Sequence, residues 1–196
     1  SIVLKDIFWR GQVKDIDLLN RLLEYIVLNP SQTFSPTSIA KYFESVNRKV
    51  ATETIYNYME KIISAMIMNK AMRYDIRGKR VLTRFDKYYL TDVGFGKIKN
   101  TGFKTEIGAL IENVVYNELL VRGYEVYVGK TTKGEIDFVA VKDGKKEYYQ
   151  VAYLLATEDV IEREFGAYKD IQDNYPKYVL SMDRFDFSRD GIIHQN

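Results

Sequence analysis

Charge of opposite sign lies on either side of one short glycine-containing stretch, and this partition constrains the fold more than length does. Residues 1–47 carry 5 basic and 5 acidic groups, residues 48–104 carry 13 and 5, and residues 105–196 carry 11 and 17. The balance therefore runs from neutral to strongly positive to negative, and it reverses at Thr101-Gly102-Phe103-Lys104. That reversal predicts two domains, residues 1–103 and 104–196. Small domains also differ in charge by chance. The functional alternative is that the middle segment faces an anion such as a nucleic-acid backbone. With 196 residues, each part can bury its own core, and 46% hydrophobic with 29% charged residues excludes a disordered or low-complexity chain.

Chemistry is narrowed by what the residues leave out. No cysteine is present, so disulfides, zinc-thiolate sites and a Cys nucleophile are excluded, in keeping with a reducing cytoplasm. A single histidine, His194, is read as ruling out a His-based metal site and a Ser-His-Asp triad within one chain. No run approaches the roughly 18 apolar residues of a membrane span, and the N-terminus lacks the order of a signal peptide. The expectation is a cytoplasmic protein with no membrane partner. The start at Ser-Ile and the stop at His194-Gln195-Asn196 read as the ends of a fragment. No G-x-x-x-x-G-K-[ST] phosphate loop occurs, so any nucleotide-driven activity, ATP binding included, would have to lie outside these residues.

In the first part, Ile16, Leu19, Leu22, Leu23 and Ile26 mark an amphipathic helix that ends at Asn29-Pro30. Ser35-Pro36 caps a second helix with Ile39, Tyr42 and Phe43 inward. Ile55, Met59, Ile62, Ile63 and Met66 mark a third. Strands at Ala71 to Ile76 and Val81 to Phe85 flank a turn, Arg77-Gly78-Lys79-Arg80, and Lys87 to Leu90 continues as strand. Three helices and a hairpin read as a winged helix-turn-helix. Its nucleic-acid contacts would be Arg48, Lys49, Thr52, Asn57 and Lys61 near the third helix, and Arg77, Lys79 and Arg80 at the tip. Glu53 and Glu60 on that helix oppose a phosphate backbone, and winged helices also dock proteins.

In the second part, Ile107, Ile111, Val114, Val115 and Leu119 mark a long helix, with Glu112 on the stripe of Gly108, Val115 and Leu119. Strands follow at Gly123 to Val128, Gly134 to Val141 and Glu147 to Leu154, then a helix from about Asp159 to Ile171 and a strand at Tyr178 to Leu180. A two-residue period places Asp137 and Gln150 on one face. Taken singly, Glu112, Asp137 and Gln150 also suit caps, backbone contacts or strand neighbours.

Over residues 105 to 155 this order resembles the PD-(D/E)XK nucleases, in which a helix supplies Glu, a strand Asp, and the next strand an acid, a spacer and a Lys. The resemblance implies Mg²⁺ held by Glu112, Asp137 and the position of Gln150, but here Gln150-Val151-Ala152 replaces acid-x-Lys. Loss of the cation costs about 10² to 10³ in rate. Lys133, Lys145 and Lys146 lie at strand ends, away from the Gln150 face. Hydrolysis is therefore expected to be lost, with a Mg²⁺-dependent nuclease as the alternative. SIVLKDIF, KYYLTDVGF, GEIDFVAV, YYQVAYLL and YPKYVLSMD, taken together, resemble the C-terminal region of bacterial and archaeal AAA-type ATPases, a domain of unknown function. That resemblance implies an accessory module that binds DNA weakly, or one that docks on its own ATPase domain or on a partner protein.

Overall fold

The computed structural model describes residues 13–95 and 106–196, the side chains of Arg84 and Phe85 aside. The expected boundary at Thr101 to Lys104 and the SIVLKDIF segment lie outside the described residues. The chain is mixed α/β and divides into two compact units.

The first unit begins with α1 (Ile16–Leu28), started by Asp15, whose carboxylate accepts from the Leu18 N–H at 2.9 Å. Its buried stripe is Leu18, Leu19, Leu22, Leu23, Ile26 and Val27. Ile16, expected inside, is exposed, because the first residue of a capped helix precedes the packed turn. After the two-residue strand β1 (Gln32–Thr33), α2 (Pro36–Ser45) opens with Ser35 and Ser38 in a reciprocal capping box and Pro36 in the first turn. Ile39 and Phe43 are its buried residues, whereas Tyr42 is exposed and lies against the Tyr25 ring. α3 (Thr52–Ser64) buries Ile55, Tyr58, Met59 and Ile62; Met66 falls past its end in a left-handed conformation and is exposed. β1 pairs antiparallel with Lys87 and Tyr88, and Phe34 stacks on Tyr88.

A hairpin follows, β2 (Met68–Asp75) and β3 (Arg80–Leu90). At its tip the Asp75 carboxylate accepts from the Gly78 N–H at 2.9 Å, and a Cβ on Gly78 would lie 2.7 Å from that carboxylate. The hairpin is allotted differently from the expectation, which kept it whole in the first domain. Residues 71–85 belong to the second unit, because Arg73, Tyr74 and Asp75 pair in parallel with Val128, Gly129 and Lys130 of β4 (Glu125–Lys130), and the Ile76 N–H donates to the Lys130 carbonyl. The outer hairpin is thus ladder, where a free wing would leave its edge groups unpaired.

The rest of the second unit runs α4 (Ile107–Val121), β4, β5 (Glu135–Lys142), β6 (Lys145–Val151), α5 (Glu158–Gly166), β7 (Lys177–Leu180) and β8 (Ile193–Gln195). β4, β5 and β6 are antiparallel neighbours, and β7 and β8 extend the sheet in parallel. Asp143 and Gly144 both have positive φ, the pair a two-residue hairpin requires. α5 is shorter than its sequence pattern, ending at Gly166, and β6 stops at Val151. Ile136, Val139, Tyr148, Ala152, Leu155, Ile161, Phe165 and Val179 form much of the core. Among the described residues, no helix is long and apolar enough to cross a membrane.

Gly129 is a point of close packing in this sheet. A Cβ there would stand 2.9 Å from a Val139 methyl, 3.0 Å from Ile76 and 3.1 Å from Ile136. Gly129→Ala is expected to lower stability by about 1–3 kcal/mol, read as an earlier urea midpoint with an unchanged m-value.

Candidate functional site

β5 and β6 are registered so that Phe138 faces Tyr149, which sets Asp137 opposite Gln150. Each residue's side chain bonds the backbone of the opposite strand. The Val151 N–H donates to the Asp137 carboxylate at 2.8 Å, and the Asp137 N–H donates to the Gln150 side-chain carbonyl at 3.3 Å. Two residues along from Gln150 on the same face, Ala152 is buried in the apolar core with Leu155, Ile161 and Phe165. An ammonium at that position would lie among hydrocarbon.

Glu112 comes from the other side. It lies on α4 one turn before Tyr116, and Tyr116 packs on Phe138, whose side chain points away from the Asp137 face. Among the described residues, no three Asp, Glu or His side chains gather as a metal site. The set Glu112, Asp137 and Gln150 therefore does not fit Mg²⁺: it is divided between two faces, and its facing oxygens are turned onto backbone N–H groups. Nor does a lysine stand in. Lys146 donates to the Tyr74 hydroxyl at 2.6 Å and lies over that ring, Lys133 lies 3.8 Å from Asp170, and Lys145 opens β6 at the hairpin turn.

The cations expected to meet nucleic acid are distributed unequally. Arg48 is already engaged: its guanidinium pairs with Asp15 at 2.8 Å and with Asp17, closing the start of α1. Lys49, Thr52 and Asn57 are exposed at or near the first turns of α3. Lys61 is half-buried, with its ammonium over the Tyr58 ring. Arg77, Lys79 and Arg80 are exposed at the hairpin tip. In the second unit, Arg77 and Lys79 line a cleft of about 620 Å³ with Thr131, Thr132 and Lys169, opposite Asp170 and Asp173. Sequence reading missed Lys169, Thr131 and Thr132. The Thr131-Thr132-Lys133-Gly134 turn is a visible signal for two of them, whereas Lys169 joins only through the loop after α5.

A second polar cluster was also missed. Ser181 and His194, 4% and 7% exposed, meet through Oγ and Nε2 at 2.8 Å, and the Ser181 hydroxyl donates to Asp183 at 2.7 Å. The acid here bonds the serine and not the histidine, so the cluster is not the Ser-His-Asp order of a triad. Geometry is what argues against a nucleophile. The Phe187 N–H donates to Nδ1 at 3.4 Å, so the ring proton sits on Nε2 and points at the hydroxyl. The histidine gives a proton toward Ser181 where a general base would take one.

Arg48 holds the Asp17 carboxyl below its ordinary range, with help from Arg21. Asp15 is lowered first by the Leu18 N–H and also by Arg48. A lowered folded-state pKa gives stability that is complete above the ordinary carboxylate value and is lost as pH falls through the lowered one. Arg48→Met is expected to lower Tm by about 2 °C at pH 7, and the gap closes as scans are taken at pH values below the ordinary 3.8.

Comparison with known proteins places this geometry in a family. A family model described as a domain of unknown function (DUF8612) matches residues 1–101. An uncharacterized protein of Haemophilus influenzae is 34% identical over 193 residues, 98% of this chain and 48% of its own length. An uncharacterized protein of Methanocaldococcus jannaschii is 28% identical over 173 residues, 86% of this chain and 38% of its own length. The chain thus spans half or less of each of these relatives. Because the family match covers more than half of its residues and takes in the described first unit and the hairpin, the chain belongs to the DUF8612 family.

Proposed function

We propose that this chain is a non-hydrolytic nucleic-acid-binding module that works in the cytoplasm beside an AAA-type ATPase domain. Two element orders support the reading. α1-β1-α2-α3-β2-β3 is the order of a winged helix, and α4-β4-β5-β6-α5-β7 is that of a PD-(D/E)XK core. The observation that carries it is the pairing of a disarmed acid position with an intact cationic one. Asp137 bonds the Val151 N–H and Ala152 is packed in the apolar core, while Arg77, Lys79 and Lys169 line an open cleft. A transferring phosphoryl would meet no aimed cation at Ala152, so its transition state gains little there. A phosphate backbone laid along the Arg77 and Lys79 side of the cleft would meet those two cations, with Lys169, which also pairs with Glu162 at 3.6 Å, and the Thr131 hydroxyl nearby, while Asp170 and Asp173 oppose it from the other wall. Such contacts anchor without reading sequence. The ATPase assignment draws on the sequence resemblance and on relatives about twice as long as the chain.

One observation favours a docking role instead. Ile107, Val114 and Val121 recur at seven-residue spacing on α4 and are 51%, 52% and 82% exposed, a seam suited to another helix.

Fluorescence anisotropy with a short labelled duplex and a single strand, taken over a salt series, tests the main reading. Binding is expected to weaken with salt, and the triple variant R77E/K79E/K169E to flatten the log–log slope by roughly two to three units. No binding at low salt, or a salt-independent affinity, refutes it. Plasmid cleavage in Mg²⁺ or Mn²⁺ that disappears in D137A would refute the non-hydrolytic part alone.

A further inference from the structure

The loop of residues 167–176, between α5 and β7, belongs to two clefts at once. Lys169, Ile171 and Asp173 line the 620 Å³ cleft that holds Arg77 and Lys79, and the same three residues line a second cleft of about 590 Å³. The two clefts therefore adjoin along this loop, within the second unit. Two residues past Asp173, Tyr175 enters the wall of the second cleft and is 39% exposed. Its ring is held in place from β6: Tyr148 meets it edge to face with centroids 6.4 Å apart, and the Lys146 ammonium lies 5.6 Å from its centroid. Its carbonyl accepts from the Lys177 ammonium at 3.1 Å. Charge in the second cleft is balanced, with Lys169, Lys177 and Arg189 against Glu162, Asp173 and Asp190. Asp173 is met by Lys177 at 3.5 Å, and Glu162 by Lys169 and Arg189 at 3.6 and 3.7 Å. Such a wall gives a polyanion no net attraction, so what it offers is the aromatic ring.

We propose that the nucleic acid taken by this chain is single-stranded, its backbone following Arg77, Lys79 and Lys169 and one of its bases stacking on Tyr175. This inference rests on the nucleic-acid reading and names its ligand class. In a duplex each base is paired and stacked on its neighbours, so its faces are closed to a side chain; in a single strand they can be splayed onto an aromatic ring. A cationic track that leads to an exposed, positioned tyrosine is the combination by which single strands are held, and stacking accepts any base because each has a π-face. The two contributions respond differently to salt. Cations that displace counterions set the salt slope, whereas a stacked ring adds affinity without changing it. The stack is common to DNA and RNA.

Fluorescence anisotropy of the 196-residue chain with labelled oligo-dT and oligo-U of about 12 nucleotides, and with a DNA duplex of the same length, tests this over a salt series. At least one single strand is expected to bind about tenfold or more tightly than the duplex, and the tighter of the two identifies the preferred sugar. Tyr175→Ala is expected to weaken that binding about tenfold with the log–log salt slope unchanged, and Tyr175→Phe to retain it. Tyr42→Ala, at an exposed tyrosine of the first unit, leaves it unchanged. Equal binding of single strand and duplex, full affinity in Tyr175→Ala, or a loss that Tyr175→Phe shares overturns the inference while the nucleic-acid reading survives. No binding of any probe at low salt overturns both.

Discussion

The exchange of hydrogen bonds between Asp137 and the end of β6 is the constraint on which the second unit turns. Each residue satisfies a backbone or side-chain group of the other's strand: Asp137 takes the Val151 N–H, and Gln150 takes the Asp137 N–H. A slip of one residue between β5 and β6 would carry Ile136 or Phe138 into the place of Asp137 and break both bonds, so the clasp fixes register as well as strand end. It also dictates the packing past the end of β6. With the carboxylate committed to backbone, the face beyond it is free to be apolar, and Ala152 is covered by Leu155, Ile161 and Phe165. A lysine at that position would need a partner that this packing does not provide.

Local chemistry was legible wherever a short pattern has one physical solution. Ser35-Pro36 starts a helix because a hydroxyl cap and a fixed φ agree, and Asp143-Gly144 turns a hairpin because both residues accept positive φ. That Asp137 and Gln150 share a face follows from strand alternation, while their direct facing is set by the β5–β6 register. What sequence concealed depends on partners distant in the chain. β1 is two residues long and exists through Tyr88 and Lys87, and β8 exists through β7. The Tyr42 ring is exposed although its spacing fits the helix stripe, and it meets the Tyr25 ring of the neighbouring helix at the surface.

The candidate site shows the same limit more sharply. Arg48 has the composition of a phosphate ligand, yet Asp15 and Asp17, more than thirty residues away, hold it to the start of α1. Tyr175 shows no motif at all. Only the path of the loop after α5 brings it into the wall of a cleft that Lys169 also lines. Ser181 and His194 lie thirteen residues apart with no recognisable spacing, and the orientation of their protons, set by Phe187 and Asp183, separates a structural knot from a reactive one.

The parallel ladder between β2 and β4 bears on how this molecule can be dissected. A gene fragment cut at the obvious charge reversal would deliver residues 104–196 stripped of Arg73, Tyr74 and Asp75, leaving the flank of β4 with raw amides and carbonyls. Such a flank is a template for pairing with another extended chain, a twin of itself included, which makes the truncated product prone to aggregation or strand swapping. Protein engineers who want the acidic half alone must bring the hairpin with it, by circular permutation or by supplying the missing ribbon as a peptide.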